Sequence, residues 1–362
     1  MIVYLMFMFL SAAPLFIWEN KPFACSRLEA AQKNGKRVEL LFFVLGYAAT
    51  LLPYVLRSTA VGADTLRYRS HFYSTLFFSK YEPGFYLFSS FLRLFTSSFE
   101  VYLLIITTLS QSLLLFAMHR NAQNRFISIL SYHCFFLFAL GFSALRQFAA
   151  FALVACGLMI ILEDRRSRKH VAIGVGLLLL AASFHITAAI VLLILIPIYI
   201  DLNRKFAILA ASLSALLFLL RDPLLSVLAP LLRPDTQVYA QYTNKWGLST
   251  ILFVALMLLL NYLAGQGLTE ATDEKRKEES LDIPMRIANL LFVCLIFNLF
   301  YSWVPAHFRL TQYFYLALVL LLGRDERIRG KKQLILAAIL ILYYSYILLK
   351  DNIAIIPYRF MF

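Results

Sequence analysis

Charged side chains are scarce in this chain. Asp, Glu, Lys and Arg make up 15% of its 362 residues, hydrophobic residues make up 61%, and the mean hydropathy is +0.74. A soluble domain of average composition carries about 25% charged residues, so the scarcity excludes that class. Acidic residues are the rarer sign, 20 against 34 Lys and Arg, for a net charge of +14. Nucleic acid would call for one basic face, whereas these cations are scattered among short loops, so no nucleic-acid partner is expected and membrane orientation accounts for the excess. Cysteines number four, and Cys25, Cys134, Cys156 and Cys294 show no CxxC or ligand spacing; they read as small core residues. The 13 glycines form no phosphate-cradling loop at a strand-to-helix junction, which removes a nucleotide site. With no HExxH, His-rich or Asp-rich spacing, neither a metal nor another cofactor is expected. Internal repeats are not visible and charges at helix centres are sparse, so the usual pointers to a secondary transporter are missing. The opening stretch, 1 to 18, lacks the positive n-region and cleavage site of a signal peptide and reads as a retained first helix.

What is abundant is apolar sequence. About twenty apolar residues cross the hydrocarbon core, and segments near 1–18, 39–56, 99–118, 126–143, 146–162, 170–184, 186–200, 205–221, 248–264, 286–304, 307–323 and 332–349 approach that length. The expected fold is all-α: a single polytopic transmembrane domain over 1–362 with about 12 membrane helices. The loops at 20–37, 119–125, 163–169, 201–205, 266–286 and 324–332 hold 22 of the 34 Lys and Arg residues and are therefore assigned to the cytoplasm. Both termini, the loops 57–98 and 222–247, and the tips at Ser143, His185 and Pro305 then fall on the outer side.

The stretch from Arg57 to Arg93 stands out against this background. It alternates Asp64, Arg67, Arg69, His71, Lys80 and Glu82 with Tyr68, Phe72, Tyr73, Tyr81, Phe85 and Tyr86, a pattern suited to a membrane surface. A helix starting at Asp64 puts Asp64, Arg67, Tyr68 and His71 on one face; the bland reading makes Asp64 an N-cap. Glu82-Pro83-Gly84-Phe85 reads as the start of a helix too short to span, hence interfacial or re-entrant. Its acid either favours the helix N-terminus or serves as a general base. Arg146-Gln147 opens a span as a snorkelling anchor or as a phosphate ligand. His185, in Ser183-Phe184-His185-Ile186-Thr187, is structural or catalytic. Arg309, Gln312 and Tyr313 share a helical face at another outer end. His133, Asn261, Asn298, Gln111 and Ser112 lie deeper and suit inter-helix hydrogen bonding. The 222–247 loop reads as an interfacial belt, with lining an acceptor groove as the second reading. Many arginines with a few acids, a histidine and aromatic rings suit a carbohydrate carried on a diphosphate, with arginine taking up the leaving group's charge.

These motifs together resemble the EpsG-type branch of the Wzy-like bacterial polysaccharide polymerases. The elements run in order: Gly62-Ala63-Asp64-Thr65 with Tyr68 and Arg69, Glu82-Pro83-Gly84-Phe85, Arg146-Gln147, Ser183-Phe184-His185, and Arg309 with Tyr313. The resemblance implies a multi-pass protein of the bacterial plasma (inner) membrane. Its function would be to join polyprenyl-diphosphate-linked oligosaccharide units at the outer leaflet for O-antigen, capsule or exopolysaccharide. Its partners would be that lipid-linked donor, membrane lipid, a chain-length regulator and a flippase. In this reading Arg69, Arg146 and Arg309 hold the diphosphate, while Tyr68, Gln147 and Tyr313 position the donor. Asp64, Glu82 or His185 accepts the proton, and the sequence does not choose among the three. A flippase or exporter of the same lipid-linked sugar, or a ligase using the same donor, shares most of these features.

Overall fold

The computed structural model describes residues 2–20, 32–74, 81–199, 274–299 and 307–350, with isolated positions between 212 and 257 and at 358. The helices are α1 (Ile2–Glu19), α2 (Gln32–Leu56), α3 (Thr65–Tyr73), α4 (Pro83–Arg93), α5 (Phe99–Asn121), α6 (Arg125–Cys134), α7 (Leu137–Leu140), α8 (Leu145–Glu163) and α9 (Arg168–Phe184). A 3₁₀ turn (Ile186–Ile190) follows, then α10 (Val191–Tyr199), α11 (Glu274–Leu299), α12 (His307–Arg324) and α13 (Lys331–Lys350). Four of them are long and apolar enough to cross a membrane: α1, α5, α8 and, within α13, Lys331–Leu349. Shorter apolar stretches occur at Leu40–Leu56, Ile186–Tyr199 and Ile283–Asn298. The expected twelve spans are thus not reached among the described residues; apart from isolated positions, the spans at 205–221 and 248–264 lie outside them, as do the 222–247 loop and the Pro305 tip.

The chain divides into two compact units, Met1–Ala189 with Leu322–Phe362, and Ile190–Leu321. In the first, α8 is the central helix. It is apolar almost all round, as a helix enclosed by others must be, and it packs between α5 and α9. The ends of these three helices differ in chemistry. At one end the turns rich in Lys and Arg are knitted together. Arg120 pairs with Glu163 at 2.7 Å, Arg324 donates to the Leu162 carbonyl, and the Gly323 carbonyl accepts from the Gln123 and Asn124 amides at 2.7 and 2.8 Å. At the other end, Phe99, Tyr102, Leu103, Ile106 and Leu145 form an apolar cluster with Tyr68 and Phe72 of α3 and Phe85 and Leu92 of α4. The two ends are separated by the length of α8, about 28 Å for 19 residues. In the second unit, α10 packs on α11, and the His307 ring stacks on Phe297 at 4.3 Å.

Two sequence-based boundaries change. The single span expected at 126–143 is broken into α6 and α7 by Phe136, which adopts a left-handed conformation (φ 67°) uncommon for an aromatic residue. Helix α11 begins at Glu274, inside the expected 266–286 loop, because Glu and Lys sustain a helix ahead of the apolar stretch starting at Ile283. The aromatics between Arg57 and Arg93 divide between core and exposed faces. Tyr68 and Phe72 share the buried face of α3, and Phe85 and Leu92 that of α4, so half of the pattern is core. The outer face of α4 keeps Leu87, Phe91 and Tyr86 exposed, and at 11 residues the helix is too short to span.

Candidate functional site

The site is built around Glu82. Proline restricts the residue before it to extended backbone, and Glu82 adopts φ −59°, ψ 143° ahead of Pro83, the first residue of α4. Its side chain makes no capping bond to its own helix. Instead Oε2 accepts from Arg146 Nη1 at 2.5 Å, and Oε1 accepts from His185 Nδ1 at 3.0 Å and from the Ile186 amide at 3.3 Å. One carboxylate thus joins the first turn of α8 to the last turn of α9. The approach of α4 to α9 depends on Gly84, where an added Cβ would sit 2.2 Å from Ser183 Oγ and 2.9 Å from the Ser183 carbonyl carbon.

Arg146 is held on three sides. Besides Glu82, its Nε donates to the Tyr68 hydroxyl at 3.3 Å, and its guanidinium lies over the Tyr81 ring at 4.4 Å. Tyr81 in turn bonds through its hydroxyl to His71 Nδ1 at 2.5 Å. Burial alone would push the Glu82 carboxyl up; the hydrogen bond from His185, its own backbone N–H and the charges of Arg146 and His185 outweigh this and hold it at about 2. Tyr81 is pushed the other way, up to about 12, by burial and by Tyr68, against the pull of Arg146 and Arg67. The Tyr68 phenol also rises, through burial opposed by Arg146. Chemically, the cluster is a carboxylate that stays ionised, a cation beside it and an imidazole that meets the carboxylate through Nδ1. Among the described residues no three His, Cys, Asp or Glu side chains gather as a ligand set.

Of the residues marked from sequence, Glu82, Arg146, His185 and Tyr68 come together. Asp64 stands at the N-cap of α3 without a side-chain capping bond; its amide donates to Ser143 Oγ at 3.3 Å, and its charge reaches Tyr68 and Tyr81. Arg69 points elsewhere and pairs with Glu100 at 3.4 Å, both about half exposed. Gln147 is buried in the packing around α8. Arg309 and Tyr313 lie on α12 in the second unit, Arg309 partly exposed and Tyr313 buried. Sequence reasoning counted Tyr81 only as one aromatic of the stretch and placed His71 on the Asp64 helix face, without linking the two. The signal that would have singled out Tyr81 is its place immediately before Glu82-Pro83, which ties its backbone to that of the acid.

The model of the EpsG family matches residues 40–360, most of the chain and every residue of this cluster. The chain belongs to the EpsG family. No curated protein and no solved structure matches it. Within this EpsG-family protein, the short motifs gain physical reasons. Gly62 takes φ +94° with its Cα so close to Phe142 that a Cβ would lie 2.1 Å from the Phe142 carbonyl oxygen. Pro83 and Gly84 respectively orient Glu82 and admit it to α9.

Proposed function

We propose that this EpsG-family protein is a membrane glycosyltransferase that polymerises polyprenyl-diphosphate-linked oligosaccharide units, working at the outer face of the bacterial plasma membrane. The observation that carries the reading is the bridging of Arg146 and His185 by Glu82, which sets a cation for a diphosphate beside a base for a sugar hydroxyl. Support for the outer side comes from the separation of this cluster, along α5, α8 and α9, from the turns rich in Lys and Arg.

In the reaction, a hydroxyl of the incoming lipid-linked unit attacks the anomeric carbon of the growing chain. The bond from that carbon to the diphosphate oxygen breaks, and polyprenyl diphosphate leaves with the electron pair. Arg146 stabilises the leaving diphosphate, and Tyr68 and Tyr81 orient its guanidinium. His185 takes the hydroxyl proton. A carboxyl held at about 2 is too weak a base for that task near neutral pH, so Glu82 serves as orienter, fixing the His185 tautomer through Nδ1 and leaving Nε2 as the proton acceptor. Asp64, beside Tyr68, contributes charge to the same wall, whereas Arg69 and its Glu100 partner lie outside the proposed chemistry.

The test compares the glycan of a gene deletion with that of strains carrying Arg146→Ala or His185→Ala. A single capped repeat unit in all three supports polymerisation. Full-length unattached polymer in the deletion assigns a ligase instead, and lipid-linked units retained in the cytoplasm assign a flippase. Wild-type chain lengths from either variant at normal expression would sink the residue assignment.

A further inference from the structure

Arg57 follows α2 and is 3% exposed, a buried guanidinium that no carboxylate accompanies among the described residues. Its Nη1 donates to the Gly141 carbonyl at 3.1 Å, while Nε and Nη2 have no hydrogen-bond partner there. The cation lies 5.3 Å from the Phe142 ring centroid and 5.9 Å from that of Tyr54. Burial brings it down to about 10 from the usual arginine range, against the influence of Tyr54, Tyr358 and Tyr4. Keeping a cation so poorly solvated is costly, and an apolar residue of the same size would fill the space without that cost.

What Arg57 holds is the connection between α7 and α8. Three further ties run from the same segment onto that connection. Thr65 Oγ1 donates to the Phe142 carbonyl at 2.8 Å, the Asp64 amide donates to Ser143 Oγ at 3.3 Å, and Gly62 packs its Cα against the Phe142 carbonyl. Ala144 and Leu145 follow, and then Arg146. The start of α8 has no side-chain cap of its own, so its position is set by this clasp.

We propose that Arg57 is a positioning residue, which acts through Gly141–Ser143 to hold the first turn of α8 and thereby aim Arg146 between Glu82 and Tyr68. It touches no reacting atom, and its effect on turnover rests on the glycosyl-transfer reading given above. A displacement of the order of 1 Å in a charged group that stabilises a leaving group lowers turnover about 10- to 100-fold.

The experiment uses the full-length protein in proteoliposomes with lipid-linked oligosaccharide, comparing wild type, Arg57→Met, Arg57→Lys, Arg146→Lys and the double variant Arg57→Met with Arg146→Lys. Turnover is expressed per folded molecule. Arg57→Met is expected to lose about 10- to 100-fold in kcat with the donor KM within about threefold. Arg57→Lys, which keeps the charge, recovers part of the loss. Because Arg57 works through Arg146, the double variant should be no slower than Arg146→Lys alone, within about threefold. Unchanged kcat in Arg57→Met, or full multiplication of the two losses, overturns the proposal. Hydrogen exchange gives a readout independent of activity: amides 142–147 should exchange faster in Arg57→Met while the rest of α8 does not, and unchanged exchange also overturns it. If wild type itself fails to polymerise, the glycosyl-transfer reading falls, and the exchange data decide the clasp alone.

Discussion

Replacing Gly84 with alanine forces α4 away from α9 where Glu82 reaches His185. The new Cβ would meet Ser183 Oγ at 2.2 Å and two carbons, Phe184 Cδ2 and the Ser183 carbonyl, at 2.9 Å. The Ser183 hydroxyl can turn off its bond to the Leu180 carbonyl, but the backbone carbon cannot yield, so the helices separate by about 0.5–1 Å in a close-packed interface. That stretches the Glu82–His185 contact from 3.0 Å to the limit of hydrogen-bond reach or past it, and the Glu82–Ile186 contact from 3.3 Å beyond it. A hydrogen bond to a charged group contributes about 1.5–3 kcal/mol, which corresponds to about 10- to 150-fold in turnover if the whole of it is lost from the transition state. The assay is polymer chain-length distribution in cells, followed by turnover in proteoliposomes at matched folded protein. Adding Ser183→Ala removes the closest of the three contacts and should recover part of the activity. Wild-type turnover from Gly84→Ala would refute the claim that the Glu82–His185 bond depends on this approach.

Glu82→Gln should lower stability at neutral pH by no more than about 3 kcal/mol, the Glu82 side chain being 18% exposed. Its carboxyl is depressed in the folded protein, so this contribution is present above about 4.5 and fades as pH falls toward about 2; thermal unfolding of the two forms should converge across that window, and a constant gap would contradict the assignment. Arg69→Ala breaks only an exposed ion pair and should change stability by less than about 1 kcal/mol with unaltered chain length; a large loss of activity would return Arg69 to the site. Tyr81→Phe keeps the ring over Arg146 and loses the bond to His71, whereas Tyr81→Leu loses both, so the leucine form should be the slower by a step worth about 0.5–2 kcal/mol, and equal rates for the two would exclude the ring contact from function.

Periodicity and punctuation made much of this structure legible. Pro83 marked the start of α4, the run from Leu145 to Glu163 was readable as an apolar span, and Arg146 and His185 stood at expected helix ends. Proximity was less accessible. Glu82 lies 64 residues from Arg146 and 103 from His185, and no local pattern encodes a carboxylate shared between them. The choice of base stayed open in the sequence for the same reason, since the depression of the Glu82 carboxyl arises from those distant neighbours. Phe136 was hidden because an aromatic inside an apolar run carries no sign that it breaks the helix. Arg57 read as the first charge of the outer stretch, and its burial depends on Tyr54 and Phe142 lying against it.

The turn between α8 and α9, from Glu163 to Arg168, lies at the opposite end of those helices from Glu82 and is largely exposed. A chain cut there would leave Glu82 and Arg146 on one fragment and His185 on the other. The packing of α8 on α9 would then act as the adhesive between halves, and the bridging carboxylate as the register mark that tells a correct reunion from a slipped one. Fragment complementation at this turn therefore restores the cluster only when both halves dock in the native register, which makes the site a reporter of its own assembly.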